Sequence, residues 1–399
     1  MRYRALVLIA PVLLLAACGG GGDREKAAFV AACVAEGDSE AFCVCQGDAL
    51  RAELDEETFA SLVEFAESMA GASEDAKGMI AMGALSNPKL IAALDKVEAT
   101  AKTCKQAAAL EEARAEVAVL EAARNARRKQ AAARKCPHRP VMSPRLPGAP
   151  VDDVADLRLG MSFEDVEAIL ECRGDVLNFD VAREWARDSH GVETRQLLRA
   201  ADGEICPAEA RVAGGQGCDD GGYAFEPLQN VNQEFVVAFA GLPGAERAGV
   251  IWRRTVFSES EYPTVSSLQE ALVEKYGRPN ASANQEGYYS LGHRPGSVTY
   301  SWVYDPMGAL IPSSDSARLS RCVNGPRPTF QGRMSWNGAC GLTIRAEIMP
   351  AVGNAILARE LNVVVMDQKR FDDAVKQFDI DLRTAVEAQH KGKGAAPDL

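Results

Sequence analysis

The chain has 399 residues, 47% hydrophobic and 25% charged, a composition that fits two or three folded domains and excludes global disorder. Its formal net charge of −12 excludes the basic surface that nucleic-acid binders carry. In chain order, the first feature is an apolar run from Ala5 to Ala17 behind Arg2 and Arg4. That run is about half of the roughly 20 residues a membrane-spanning helix needs.

Basic start, short apolar core and small residues before a cleavage point are the parts of a secretory signal peptide. Here the run closes on Leu15-Ala16-Ala17-Cys18, which resembles a bacterial lipoprotein signal. The resemblance implies removal of residues 1–17, diacylation of the Cys18 thiol and acylation of its freed amine, enough buried chains for stable anchoring. Position two of the mature chain is Gly19, not the aspartate that retains such proteins at the inner membrane, so the implied address is the outer membrane, facing the periplasm. Loss of Arg2 and Arg4 makes the mature chain −14. Residues 18–23, with the run Gly19-Gly20-Gly21-Gly22, read as a lipidated cysteine and flexible tether.

Residues 24–105 are rich in Ala, Leu, Glu and Met, strong helix formers, and read as a small helical domain. Ser39 or Asp38 can cap a helix after Gly37. Asp55-Glu56-Glu57 opens another, with Phe59, Leu62, Val63 and Ala66 at helical spacing, and Asn87-Pro88 opens a fourth segment. Residues 106–135 carry no Gly or Pro and pass from acidic (Glu111, Glu112, Glu116, Glu121) to basic (Arg124, Arg127, Arg128, Lys129, Arg134, Lys135). They read as one solvated linker helix of about 45 Å, its basic end a candidate for anionic head groups or cell-wall polymer. Pro137 to Pro150 marks the boundary that follows.

The remainder reads as two helix-plus-antiparallel-sheet modules, 136–260 and 261–399, so the fold class is α+β: a small disulfide-stapled helical domain, a long linker helix, then the two modules. In the first, Ser162 and Asp165 make a capping-box-like pair before a helix with Phe163, Val166, Ile169 and Leu170 on one face, ended by Gly174. Strands follow at Glu234–Ala240 and Gly249–Phe257. In the second, Thr264 caps a helix with Val265, Leu268, Leu272 and Tyr276 on one face. Ser297–Tyr304 alternates as a half-buried strand. Arg318–Val323, Cys340–Met349 and Leu361–Met366 read as further strands, and Gln368–His390 as a final helix with Phe371, Val375, Phe378, Leu382 and Val386 along one stripe. Gly160-Met161-Ser162-Phe163-Glu164-Asp165-Val166, with Leu170 after it, resembles the opening of the small periplasmic modules of SmpA/BamE-like lipoproteins and of β-lactamase inhibitor protein. That resemblance implies helices packed on a small antiparallel sheet, and action by binding proteins.

Eleven cysteines less lipidated Cys18 leave ten, an even number suited to an oxidising compartment. Cys33 and Cys43 flank the turn near Asp38 about equally, so antiparallel helices bring them together. Cys43 and Cys45 differ by about 200° around a helix, which sends Cys45 to Cys104 on the opposite side and argues against a shared metal. Cys206–Cys218 and Cys322–Cys340 are local closures, and Cys136–Cys172 follows by exhaustion. The stapled helices resemble segments near the start of other envelope lipoproteins.

No Gly-x-Ser-x-Gly elbow, Walker loop, His-Glu-x-x-His or EF-hand loop occurs. His138, His190, His293 and His390 are isolated in sequence. Gly214-Gly215-Gln216-Gly217 is a disulfide-closed loop more readily than a phosphate cradle, and Asp219-Asp220 falls short of a calcium ligand set. Among Trp185, Trp252, Trp302 and Trp336, those in strands default to core, with an aromatic ligand platform as the alternative; Arg253 and Trp302 are the candidate binding surface. No catalytic, cofactor-binding or metal residue is expected. The expectation is a non-enzymatic, membrane-anchored lipoprotein that binds or scaffolds an envelope protein or cell-wall partner. The alternative is an envelope hydrolase whose carboxylates come from separate strands.

Overall fold

A computed structural model describes residues 21–390, apart from 85, 141, 143–144, 146–147, 177, 183–190, 216, 220–224, 285–296, 328 and 331–334. Cys18 and the apolar run before it, read above as a lipoprotein signal, lie outside the described residues. No helix among the described residues is long and apolar enough to cross a membrane. The chain divides into two units, Met1–Glu116 and Val117–Leu399.

The first unit is helical. It comprises α1 (Gly21–Ala35), α2 (Glu40–Glu53), α3 (Glu56–Met69), α4 (Glu74–Ala84) and residues 88–116 of α5 (Pro88–Ala133). Side chains that favour caps sit where the helices begin. Ser39 Oγ accepts the Phe42 N–H at 3.3 Å and Asp55 Oδ1 accepts that of Thr58 at 2.9 Å. Phe29, Leu50, Phe59, Leu62, Val63, Leu90 and Ala93 form the core. Cys43 bridges to Cys33 on α1 and Cys45 to Cys104 on α5, so opposite sides of one turn of α2 are tied in two directions. The linker is not a separate helix beginning at Gln106: α5 starts at Pro88, because nothing between there and Ala133 breaks it.

The second unit holds residues 117–133 of α5, the two-residue strands β1 (Asp153–Val154) and β2 (Leu157–Arg158), α6 (Phe163–Arg173), β3 (Asn178–Ala182) and β4 (Leu197–Ala201). Next come β5 (Glu204–Ile205), α7 (Ala208–Val212), β6 (Leu228–Gln229), β7 (Gln233–Ala240), β8 (Arg247–Val256) and α8 (Val265–Tyr276). It closes with β9 (Ala281–Asn284), β10 (Val298–Val303), α9 (Ser316–Val323), β11 (Leu342–Ala351), β12 (Asn354–Asp367) and α10 (Gln368–His390). Residues 318–323, read as a strand, are helical instead. Asp315 Oδ1 caps the Arg318 N–H at 3.1 Å, and Leu319 and Cys322 bury one face of a short helix tied to Cys340.

The two modules share one antiparallel sheet, ordered β3-β4-β7-β8-β12-β11-β10-β9. Each module is a helix followed by a four-stranded meander, and the meanders join where β8 pairs with β12, Trp252 opposite Val364 and Ile251 opposite Val365. One face carries Phe235, Val237, Ile251, Ile344 and Val363 and packs against α6 and α8 through Val166, Leu170, Leu272 and Tyr276. The other carries Val236, Ala238, Trp252, Val364 and Met366 and packs against Phe371 of α10. A Cβ on Gly249 would stand 2.0 Å from the Phe371 ring, so only glycine lets α10 seat on β8. Gly160 takes φ +84°, Met161 is buried, and Ser162 Oγ accepts the Asp165 N–H at 3.1 Å. The Gly-Met-Ser segment thus turns the chain, anchors it and caps α6.

Candidate binding cavity at the sheet edge

The Trp302 half of the expected binding surface is corrected by its burial. Trp302 is 1% exposed, its ring lies 5.3 Å from that of Tyr276, and its Nε1 donates to the Gly277 carbonyl at 2.8 Å. A large aromatic on an inward-facing position of a central strand packs into the core. Arg253 is half-buried on the same face, with its guanidinium 5.6 Å from the Phe235 ring and Nη2 3.4 Å from Gln233 Oε1. Burial, then Arg173, holds its pKa below the ordinary arginine value. Trp252 is also interior: Nε1 donates to the Arg327 carbonyl at 2.9 Å and Phe330 meets it edge-on. The tryptophan platform is thereby withdrawn for both strand tryptophans. Trp185, His190 and His293 lie outside the described residues.

His138 is not alone. Its Nε2 lies 2.8 Å from Asp165 Oδ1, while Ser162 Oγ donates to Asp165 Oδ2 at 2.9 Å. The carboxylate stands between hydroxyl and imidazole, so this is an elaborated helix cap; in a nucleophilic triad the imidazole stands between. Asp219, weighed for calcium, is bonded to Arg254, and no group of three or more metal-ligating side chains occurs among the described residues. Cys206 and Cys218 close the glycine loop, of which Gln216 lies outside the described residues.

Facing α10, the sheet turns polar at one end. Glu234, Arg254, Asn362, Glu347 and Thr299 stand in register across five strands. Arg254 Nη1 is 3.4 Å from Glu234 Oε2 and its Nε 3.7 Å from Glu360 Oε1. Burial opposes the charge on Arg254, but Asp219, Glu234 and Glu360 hold its pKa above the ordinary value. Arg199, 1% exposed, donates to Glu234 Oε1 at 2.6 Å and to the Glu226 carbonyl at 2.9 Å. These carboxylates face guanidinium groups, an arrangement that stores charge in pairs.

Beside these pairs lies a cavity of about 410 Å³ between residues 120–130 of α5 and the β3 edge of the sheet. Leu120, Ala123, Arg124, Arg127 and Gln130 line it from one helix face, at the i, i+3, i+4, i+7 spacing that puts side chains together. Phe179 and Asp180 of β3, Arg199 of β4, Ile205 of β5 and Leu228 of β6 line the other side. A second cavity of about 390 Å³ shares Arg127 and Phe179 with it. Arg127 stands 4.8 Å from the Phe179 ring and pairs with Glu167 at 2.8 Å and Glu171 at 3.3 Å of α6. Arg134 also reaches Glu171, at 2.6 Å. The basic end of α5 is therefore not a solvated spacer, because α6 presents matching carboxylates to it.

Sequence reading missed this site, since β3, β5 and β6 carry no clear periodic signal. One clue was legible: Arg199 interrupts the apolar run Leu197-Leu198-Arg199-Ala200-Ala201, and a charge inside such a run must find partners in the interior. Comparison with protein-family models, with curated proteins and with solved structures finds no match to this chain.

Proposed function

We propose that this chain is a lipoprotein anchored through Cys18 on the periplasmic side of the outer membrane, and that it acts by binding an envelope component through its sheet unit. The observation that supports binding is the α5–β3 cavity, apolar in most of its lining with a few convergent polar groups, the usual character of a ligand site. Its size falls within the range of about 300–1,000 Å³ typical of such sites. The lipoprotein signal and the Gly160-Met161-Ser162 resemblance to protein-binding periplasmic modules support the same reading.

A hydrolase would need carboxylates free to exchange protons with a substrate, and Glu234 and Glu360 instead face Arg254. The test uses the full chain in its own membranes, with a photo-crosslinking residue at Gln130, an exposed residue of the cavity lining, or at exposed Met307. Crosslinking to one envelope component from position 130 and not from 307 is the expected result. Cys18→Ser should prevent acylation and release the protein or mislocalise it from the outer membrane, whereas unchanged mature mass and membrane partition would remove the anchor from the reading. Turnover of cell-wall or peptide substrates, abolished by Glu234→Gln in a folded protein, would replace binding with hydrolysis.

A further inference from the structure

We infer that the cavity takes an amphipathic monoanion, one acidic head group held by Arg124 and a short apolar body lying against Leu120, Ile205 and Leu228. The inference rests on the reading of the sheet unit as a binding unit and names the chemistry it would bind.

Charge accounting in the lining singles out Arg124. Arg127 pairs with Glu167 and Glu171, and Arg199 with Glu234. Glu226 pairs with Arg211 at 3.2 Å, and Asp180 accepts the Glu226 backbone N–H. Among the described residues the hydrogen-bond partner of Arg124 is neutral: the Gly203 carbonyl, 3.0 Å from its Nη2. Its Nε is buried with no hydrogen-bond partner, and among the described residues no carboxylate lies within ion-pair distance of it. Burial, then neighbouring Arg128, holds its pKa below the ordinary arginine value, more than Glu204 and Glu121 restore it. A guanidinium in this condition gains from an anion that arrives with its own acceptor oxygens.

The rest of the lining sets the class. Leu120, Ile205, Leu228 and the Phe179 ring favour an apolar body. Three guanidinium groups disfavour a cation. Asp180 and Glu226 disfavour a second negative charge, so a single acidic head is the matched ligand and a polyphosphate is not.

Calorimetric titration of the full soluble chain carrying Cys18→Ser tests this, with octanoate and octanol as probes that share a body and differ in charge. Octanoate should bind one to one and at least about ten-fold more tightly than octanol, the factor expected of a charge-assisted hydrogen bond. Arg124→Gln should remove that ten-fold preference, chiefly by weakening octanoate. Ala123→Phe, which fills the space, should abolish binding of both, with thermal unfolding showing that each variant is folded. Equal affinity for the two probes, unchanged octanoate affinity in Arg124→Gln, or no octanoate binding overturns the inference. If octanoate fails while crosslinking from position 130 persists, the ligand class falls and the binding reading stands. If both fail, both are overturned.

Discussion

The helical unit and the sheet unit solve the same problem of cohesion by different means. The helical core rests on a few side chains, chiefly Phe29, Leu50, Phe59 and Leu62, and two disulfides tie α2 to α1 and α5. The sheet unit carries three disulfides of its own, but both faces of its sheet are also buried, by α6 and α8 on one side and α10 on the other. Its interior is large enough to hold Arg199 and Glu234 as well. A small core leans on covalent links because its buried area leaves little margin over conformational entropy. A larger one has margin to accommodate charge. The buried Arg199–Glu234 pair lies in this unit, and the cavity opens beside it.

The strongest way to break this contrast is Trp302→Ala. All four tryptophans lie in the sheet unit, so tryptophan fluorescence reports that unit alone. Emptying a site that is 1% exposed should cost about 3–5 kcal/mol in a urea titration followed by that signal. Little or no loss would mean that the sheet does not depend on this core.

Replacing Cys45 and Cys104 together by Ser should cost the helical unit about 4 kcal/mol, the loop-closure value for a separation of 59 residues. The double variant should correspondingly lose far-ultraviolet helical signal at temperatures where tryptophan emission is still native. Simultaneous loss of both signals would show that the two units unfold together.

A smaller effect is expected at Glu246, 1% exposed and bonded to Arg195 at 2.7 Å and 2.8 Å. Burial raises its pKa, but Arg195 and backbone N–H groups outweigh that and hold it below the ordinary 4.5. The pair's contribution is therefore complete above about pH 4.5 and lost as the pH falls through the folded-state value. Glu246→Gln should cost about 2 kcal/mol at pH 7, and the difference from the native chain should shrink on acidification below pH 4.5. A pH-independent difference would remove the carboxylate from the account. Least of all, Ser162→Ala should cost about 1 kcal/mol through the lost cap of α6, read by thermal unfolding.

How much was legible in the sequence follows the same contrast. Caps and periodic stripes act locally, so Ser39, Asp55, Ser162, Thr264 and the helix from Gln368 could be read directly. Cysteine spacing around the turn at Asp38 pointed to the Cys33–Cys43 bridge found in α1 and α2. What could not be read depends on partners distant in the chain. β3 is five half-buried residues whose identity as a strand comes from pairing with β4, and β9 is defined by β10. Trp302 alternates correctly as a strand residue, but the pattern does not tell which face α8 will cover. Arg124 looked like one charge in a basic helix end. Its significance depends on Glu167 and Glu171 having matched its neighbours and left it with a carbonyl.

The junction of β8 with β12 carries an implication about ancestry. In each module the strand at the junction is the fourth of its meander, and the two run antiparallel, with the remaining strands receding in mirrored order toward β3 and β9. Two identical chains meeting across a two-fold axis would make the same contact, since an isologous interface sets a surface against its own copy. A single helix-plus-meander that once dimerised through its last strand, then was doubled within one gene, would produce this sheet. In such a fusion the two halves need no longer stay alike, and here the first is walled by α5 and bears the guanidinium-lined hollow.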